Sequence, residues 1–173
     1  MSYGSGGFSG EEYNDTLTLS PTLVIAQQSI GVSTPSNTWG FDSVDGVLGV
    51  GPTDLTYASV SGVELVATVT DNLYNQGIIG TKVLGIYFVP ASYYDTSGEL
   101  TFGGYDASQI TGPMNYVPLT TVFPASAFWG INQAITYGGA SILDSTAGIV
   151  DTGTTLILIA TGMIDKLQSG HPY

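Results

Sequence analysis

The chain has 173 residues, 43% of them hydrophobic, with 24 glycines, 11 tyrosines and no cysteine. Only 9% are charged, against roughly 25% in an ordinary globular protein, and fourteen acids face two basic residues, Lys82 and Lys166, for a net charge of −12. That balance excludes nucleic acid and anionic membrane as partners, because no basic patch exists to meet phosphate, and the lack of cysteine excludes disulfides and thiolate metal sites.

The length suits one sizeable domain or half of a two-lobed one, with ample apolar material for a core. A surface of Ser, Thr, Asn, Gln and Gly suits acid conditions, since few groups gain repulsive positive charge as carboxylates protonate. No segment has the basic and apolar regions of a signal peptide, and none reaches the ~18 apolar residues of a membrane span.

In chain order, "SYGSGG" after Met1 reads as the middle of a hairpin. "EYNDTLTLS" alternates polar and apolar, with Tyr13, Asp15, Leu17 and Leu19 on one side, which predicts a half-buried strand. Within it, Asn14-Asp15-Thr16 fits a glycosylation acceptor. "TLVIAQQSIGVS" is a second strand beyond the breaker Pro21. "TVTDNLYNQGII" predicts a short helix capped by Thr70 or Asp71 and ended by Gly77. "VLGIYFVP" and "GELTFGG", separated by the turn-rich "ASYYDTS", predict a hairpin. "NYVPL", "FWGINQAITYGG" and "SILD" are further short strands, and "TGMIDKLQSG" is a second short helix. The expected fold is all-β, mostly antiparallel strands with two short helices, in a barrel or sandwich.

The chemistry centres on Asp151 in "AGIVDTGTTLIL", an acid set in an apolar, glycine-flanked strand. Burying an ionised carboxylate costs several kcal/mol unless donors surround it. Here the Gly153 N–H and the Thr152 and Thr154 hydroxyls can supply them, while Ile149 and Leu156 keep the surroundings dry. Such an acid activates water when a second carboxylate ~3 Å away shares its proton, because the two cannot both ionise. Asp42 and Asp45 read as turn caps, and Asp95-Thr96-Ser97-Gly98 reads as a turn. Trp39 and Trp129 read as core or rim aromatics, and His171 as a solvated tail. No His, Asp and Glu set has metal-ligand spacing, and no Ser-His pair suits a hydrolytic triad.

"VDTGTT" resembles the catalytic Asp-Thr-Gly-Ser/Thr motif of pepsin-like aspartic proteases, and its companions fall in that family's order. "SYGSGGFSGEEYNDTLTL" resembles the flap hairpin, "FDSVDGVLGVG" the hydrophobic-hydrophobic-glycine segment of the first lobe, and "VTDNLYNQGII" the helix after it. "SGELTFGGYDASQITGPMNYVPL" is similar to the inter-lobe hairpin and crossover, and "AFWGINQAITYGG" to the strand before the second motif. The cysteine-free form resembles the basidiomycete polyporopepsin-type group. The resemblance implies an incomplete pepsin-like acid protease fold, with flap and first-lobe remainder in 1–85 and inter-lobe strands and the start of the second lobe in 86–173. It implies that Asp151 is catalytic, that Tyr3, Gly4, Ser5, Gly153 and Thr154 bind substrate, and that Thr152 supports the site.

The implied activity is aspartic-type endopeptidase at acid pH, in a protein secreted by a fungus, with no cofactor and no metal. The implied partner is a peptide or protein substrate, with no nucleic acid and no membrane. The sequence carries no Asp-Thr-Gly before the flap, so the second aspartate is expected from a complementary protease fragment or a second copy of the chain. The other reading open at this point is a non-catalytic β-rich secreted binding protein or an inactive truncation product.

Overall fold

The computed structural model describes residues 1–41, 44–89, 98–160 and Met163. The "ASYYDTS" connector, Asp42, Lys166, His171 and the expected second helix, Met163 apart, lie outside the described residues. The chain divides into two compact units, Met1–Met114 and Asn115–Tyr173. The described strands pair as three two-stranded antiparallel sheets with one short α-helix among the described residues, the mostly antiparallel β class expected from the sequence. No described helix is long and apolar enough to cross a membrane.

In the first unit, β1 (Gly7–Ser20) pairs antiparallel with β2 (Leu23–Trp39), the chain reversing at Pro21-Thr22 between Ser20 and Leu23. Pro21 presets the backbone for such a turn. Register shifts interrupt the ladder after Phe8, Asp15 and Thr18. The alternation read from the sequence therefore holds only near the turn. Leu17 and Leu19 pack on the core, whereas Tyr13 is 51% exposed. Each bulge shifts the phase of the side chains beyond it.

That core gathers Ile25 of β2 with Val69, Leu73 and Ile79, flanked by Leu23, Ile78 and Phe102. Val69 and Leu73 stand one turn apart on α1 (Val69–Asn75), so one stripe of the helix faces β2. Ile25 and Leu73 are wholly buried, and burial of such a side chain is worth about 1.5–3 kcal/mol. Two amides pin the helix to the strand: Asn72 donates to the buried Gln28 side chain at 3.0 Å, and the Ala26 N–H donates to Gln76 at 3.0 Å.

The helix begins earlier than the sequence suggested. Its cap is Thr68, not Thr70 or Asp71. The Asp71 N–H donates to Thr68 Oγ1 at 3.2 Å and the Thr68 N–H donates to Asp71 Oδ2 at 3.1 Å. Two otherwise orphaned donors are satisfied reciprocally. The helix ends as expected at Gly77, whose φ of +69° is the left-handed conformation. The Gly77 and Ile78 N–H groups donate back to the carbonyls of Tyr74 and Leu73, both at 2.9 Å, closing a Schellman motif with Ile78 beside Leu73 in the core.

Asp71 also takes the Thr53 hydroxyl at 2.6 Å and the Lys82 ammonium at 2.8 Å. Partial burial alone would raise its carboxyl, but Lys82, Thr53 and Thr68 outweigh it and hold the group well below the usual carboxylate range. Farther along, β3 (Leu84–Phe88) and β4 (Gly98–Phe102) form the expected hairpin, in register from Leu84 opposite Phe102 to Phe88 opposite Gly98.

In the second unit, β5 (Gly130–Tyr137) pairs with β6 (Ala140–Ile149) through Gly138-Gly139, both at positive φ. That pair of dihedrals is what a two-residue hairpin turn requires. Ile142 of β6 is 1% exposed. Thr120 is buried, donating to Asn132 Oδ1 at 2.8 Å through its hydroxyl and to the Gly130 carbonyl at 2.8 Å through its N–H. "NYVPL" is not the strand expected: only Leu119 bridges to Ile131. Pro118 has no N–H to extend a ladder.

Candidate active site

The β5–β6 ladder runs out just before Asp151. Gly130 faces Ile149, and the Val150 N–H still donates to the Trp129 carbonyl at 2.9 Å. Beyond that the chain turns, with the Thr154 N–H reaching the Asp151 carbonyl at 3.4 Å. Inside this turn the Gly153 N–H donates to Asp151 Oδ1 at 2.9 Å, and the Thr154 hydroxyl donates to Oδ2 at 2.6 Å. Each carboxylate oxygen thus has its own donor. A Cβ at Gly153 would come 3.3 Å from Oδ1, so glycine lets the N–H sit close. Both donors favour the charged form: the Thr154 hydroxyl first, then the Gly153 N–H, lower the Asp151 pKa against a smaller opposing effect of burial.

This corrects the sequence reading in one respect. Asp151 is exposed and lies in a turn after β6, not buried inside a strand. Ile149 and Leu156 do not keep it dry, being 43% and 72% exposed. The acid is satisfied two and three residues along its own chain, so it needs no burial to find donors. Of the residues expected around it, Gly153 and Thr154 bond the carboxylate, while Thr152 is exposed in the same turn and contributes to neither bond.

Tyr3, Gly4 and Ser5 belong to the first unit. They form the tip of a tight reversal in which Ser2 bridges to Gly7, the Tyr3 N–H donates to the Gly6 carbonyl at 2.8 Å, and the Phe8 N–H donates to the Met1 carbonyl at 3.0 Å. Gly4 and Ser5 are exposed. The Tyr3 ring stacks on Phe8 at 6.3 Å and meets Phe41 edge-on at 5.4 Å. Burial against these rings pushes its hydroxyl above the ordinary tyrosine value. Neither phenylalanine was singled out in the sequence, although Phe8 follows the glycine-rich tip directly. Asp45 is exposed, as are Trp39 and Trp129 in part. Among the described residues no three His, Asp or Glu side chains are grouped so as to hold a metal ion.

The family model described as Eukaryotic aspartyl protease matches residues 1–171, and the chain belongs to that family. It is similar to polyporopepsin of Irpex lacteus, 55% identical over 97% of this chain and 50% of that protein. It is 33% identical to rhizopuspepsin-1 of Rhizopus niveus, over 99% of this chain and 42% of that one. The crystal structure of the aspartic proteinase from Irpex lacteus superposes with a TM-score of 0.91 at 54% identity, over 98% of this chain and 50% of that chain. The chain therefore spans about half the length of these relatives.

Proposed function

We propose that the chain supplies one catalytic aspartate, Asp151, to a secreted aspartic endopeptidase that works in acid. The supporting observation is the Asp151 turn, whose two donors hold both carboxylate oxygens at 2.9 and 2.6 Å. Both donors favour the charged form, so Asp151 provides the negative charge of a carboxylate pair while its twin carries the shared proton. A water held between them gives a proton to the charged member and attacks the scissile carbonyl. The proton on the twin neutralises the developing oxyanion. On collapse Asp151 passes the proton taken from water to the leaving nitrogen while the intermediate's hydroxyl returns one to the twin, releasing the acid and the amine.

The twin comes from a complementary protease fragment or from a second copy of this chain. Gly153 and Thr154 orient Asp151, and Thr152 shapes the turn. Tyr3, Gly4 and Ser5 lie over an extended peptide, bonding its backbone through small residues while the tyrosine ring sheds water.

The test is casein hydrolysis at about pH 3.5, near the ordinary carboxylate range, with and without pepstatin. It compares the wild-type chain with Asp151→Asn, both in the presence of the rest of the protease. Asp151→Asn should lose all pepstatin-sensitive cleavage. An unchanged rate in that variant refutes the assignment.

A further inference from the structure

We infer that Asn14 is an N-glycan acceptor, a modification site separate from the catalytic reading above. Of the asparagines at 14, 37, 72, 75, 115 and 132, only Asn14 is followed two residues later by Ser or Thr, in Asn14-Asp15-Thr16. The transfer needs the amide, the hydroxyl and room for a bulky sugar. Asn14 lies in β1 opposite Ser29, and Asn14, Asp15 and Thr16 are all exposed. The Asp15 carboxylate between Asn14 and Thr16 takes the Thr16 N–H at 2.7 Å. The register passes from Asp15 opposite Gln28 to Leu17 opposite Ile25, so Thr16 has no ladder partner, and its hydroxyl makes only a long 3.5 Å contact to the Ala26 carbonyl.

In the transfer, the Asn14 amide nitrogen attacks C1 of a lipid-pyrophosphate-linked oligosaccharide. The new C1–N bond forms as the C1–O bond to pyrophosphate breaks. The amide gives one proton to a base of the transferase, and the lipid pyrophosphate leaves. The folded structure accepts the product because nothing of the core lies over Asn14: the nearest apolar residue of β1 that packs inward is Leu17.

The position also limits what the sugar does. Gly7 to Asn14 is seven steps along a strand, about 20 Å at roughly 3.4 Å each less the bulge, so the sugar is attached well away from the Tyr3-Gly4-Ser5 tip. Where it is attached it covers β1, which is paired on one side only among the described residues. An edge so covered cannot add a strand from another molecule.

The experiment directs the full chain through a yeast secretory route with a host leader and treats the secreted protein with peptide N-glycosidase F in oxygen-18 water. The wild-type chain and Thr16→Ser should each lose glycan mass and gain one labelled aspartate at position 14, read by peptide mass spectrometry. Asn14→Gln and Thr16→Ala should lose none. Unmodified Asn14 throughout the secreted wild-type protein, or glycosidase-sensitive mass that survives in Asn14→Gln, overturns the inference. The readout is independent of peptidase activity, so it stands or falls apart from the role of Asp151.

Discussion

Replacing Asp71 removes the one side chain that joins the start of α1 to the Thr53 turn and to Lys82. In Asp71→Ala the Thr68 cap loses its reciprocal partner, worth about 1 kcal/mol. The part-buried Thr53 hydroxyl loses its acceptor, about another 1 kcal/mol. The ion pair adds under about 1 kcal/mol, because Lys82 is 47% exposed while Asp71 is 15% exposed. The sum is about 2–3 kcal/mol.

Asp71→Asn behaves differently. Its remaining oxygen can occupy the Oδ2 position, which takes Thr53 Oγ1, Thr68 N and Thr68 Oγ1. Only the Oδ1 contact with Lys82 fails, a loss of about 1 kcal/mol. Urea unfolding at neutral pH, followed by Trp39 fluorescence in a Trp129→Phe background, reports the first unit. With a slope of about 2 kcal/mol per molar, the midpoint should fall by about 1–1.5 M for alanine and about 0.5 M for asparagine.

The pH dependence has a fixed sign. The folded Asp71 pKa lies below its unfolded value, so its contribution is complete above the ordinary carboxylate range of about 4 and fades as pH drops below it. The gap between wild type and alanine should therefore narrow only in strong acid. Equal losses for alanine and asparagine, or a gap that widens in acid, would refute this account of the cluster.

Gly77→Ala should destabilise the same transition by about 1 kcal/mol, the cost of a side chain in the left-handed conformation. No atom lies within 4 Å of the new Cβ, so a loss several times larger, or a gain, would contradict a purely backbone origin. Thr154→Val removes the first of the two donors on Asp151 and should move that carboxyl upward toward its ordinary value in a carbon-13 NMR titration. A downward shift, or none, would show that the hydroxyl does not set it.

The parts legible in the sequence were those fixed by near neighbours. The β3–β4 hairpin follows from apolar runs around turn residues, the sequence marks strands where β5 and β6 lie, and Gly77 marks the end of α1. Thr68-Val69-Thr70-Asp71 carries the capping pattern, but the apolar run alone points to a later cap than Thr68. The motif around Asp151 is legible in the sequence, whereas its exposure is not. The apolar flanks Ile149, Leu156 and Leu158 look like a buried strand, and the sequence does not show where the β5 ladder stops. The joining of Asp71 to Thr53 and Lys82, 18 and 11 residues away, depends on tertiary folding and left no local sign.

The wiring of Asp151 to its own second and third successors makes its donor set a prefabricated property. A stretch of a few residues biases the acid toward its charged form without help from distant parts of the molecule. On the proposed assignment, what the remainder of the enzyme adds is alignment, bringing a protonated twin to a carboxylate whose own turn already favours its charged form.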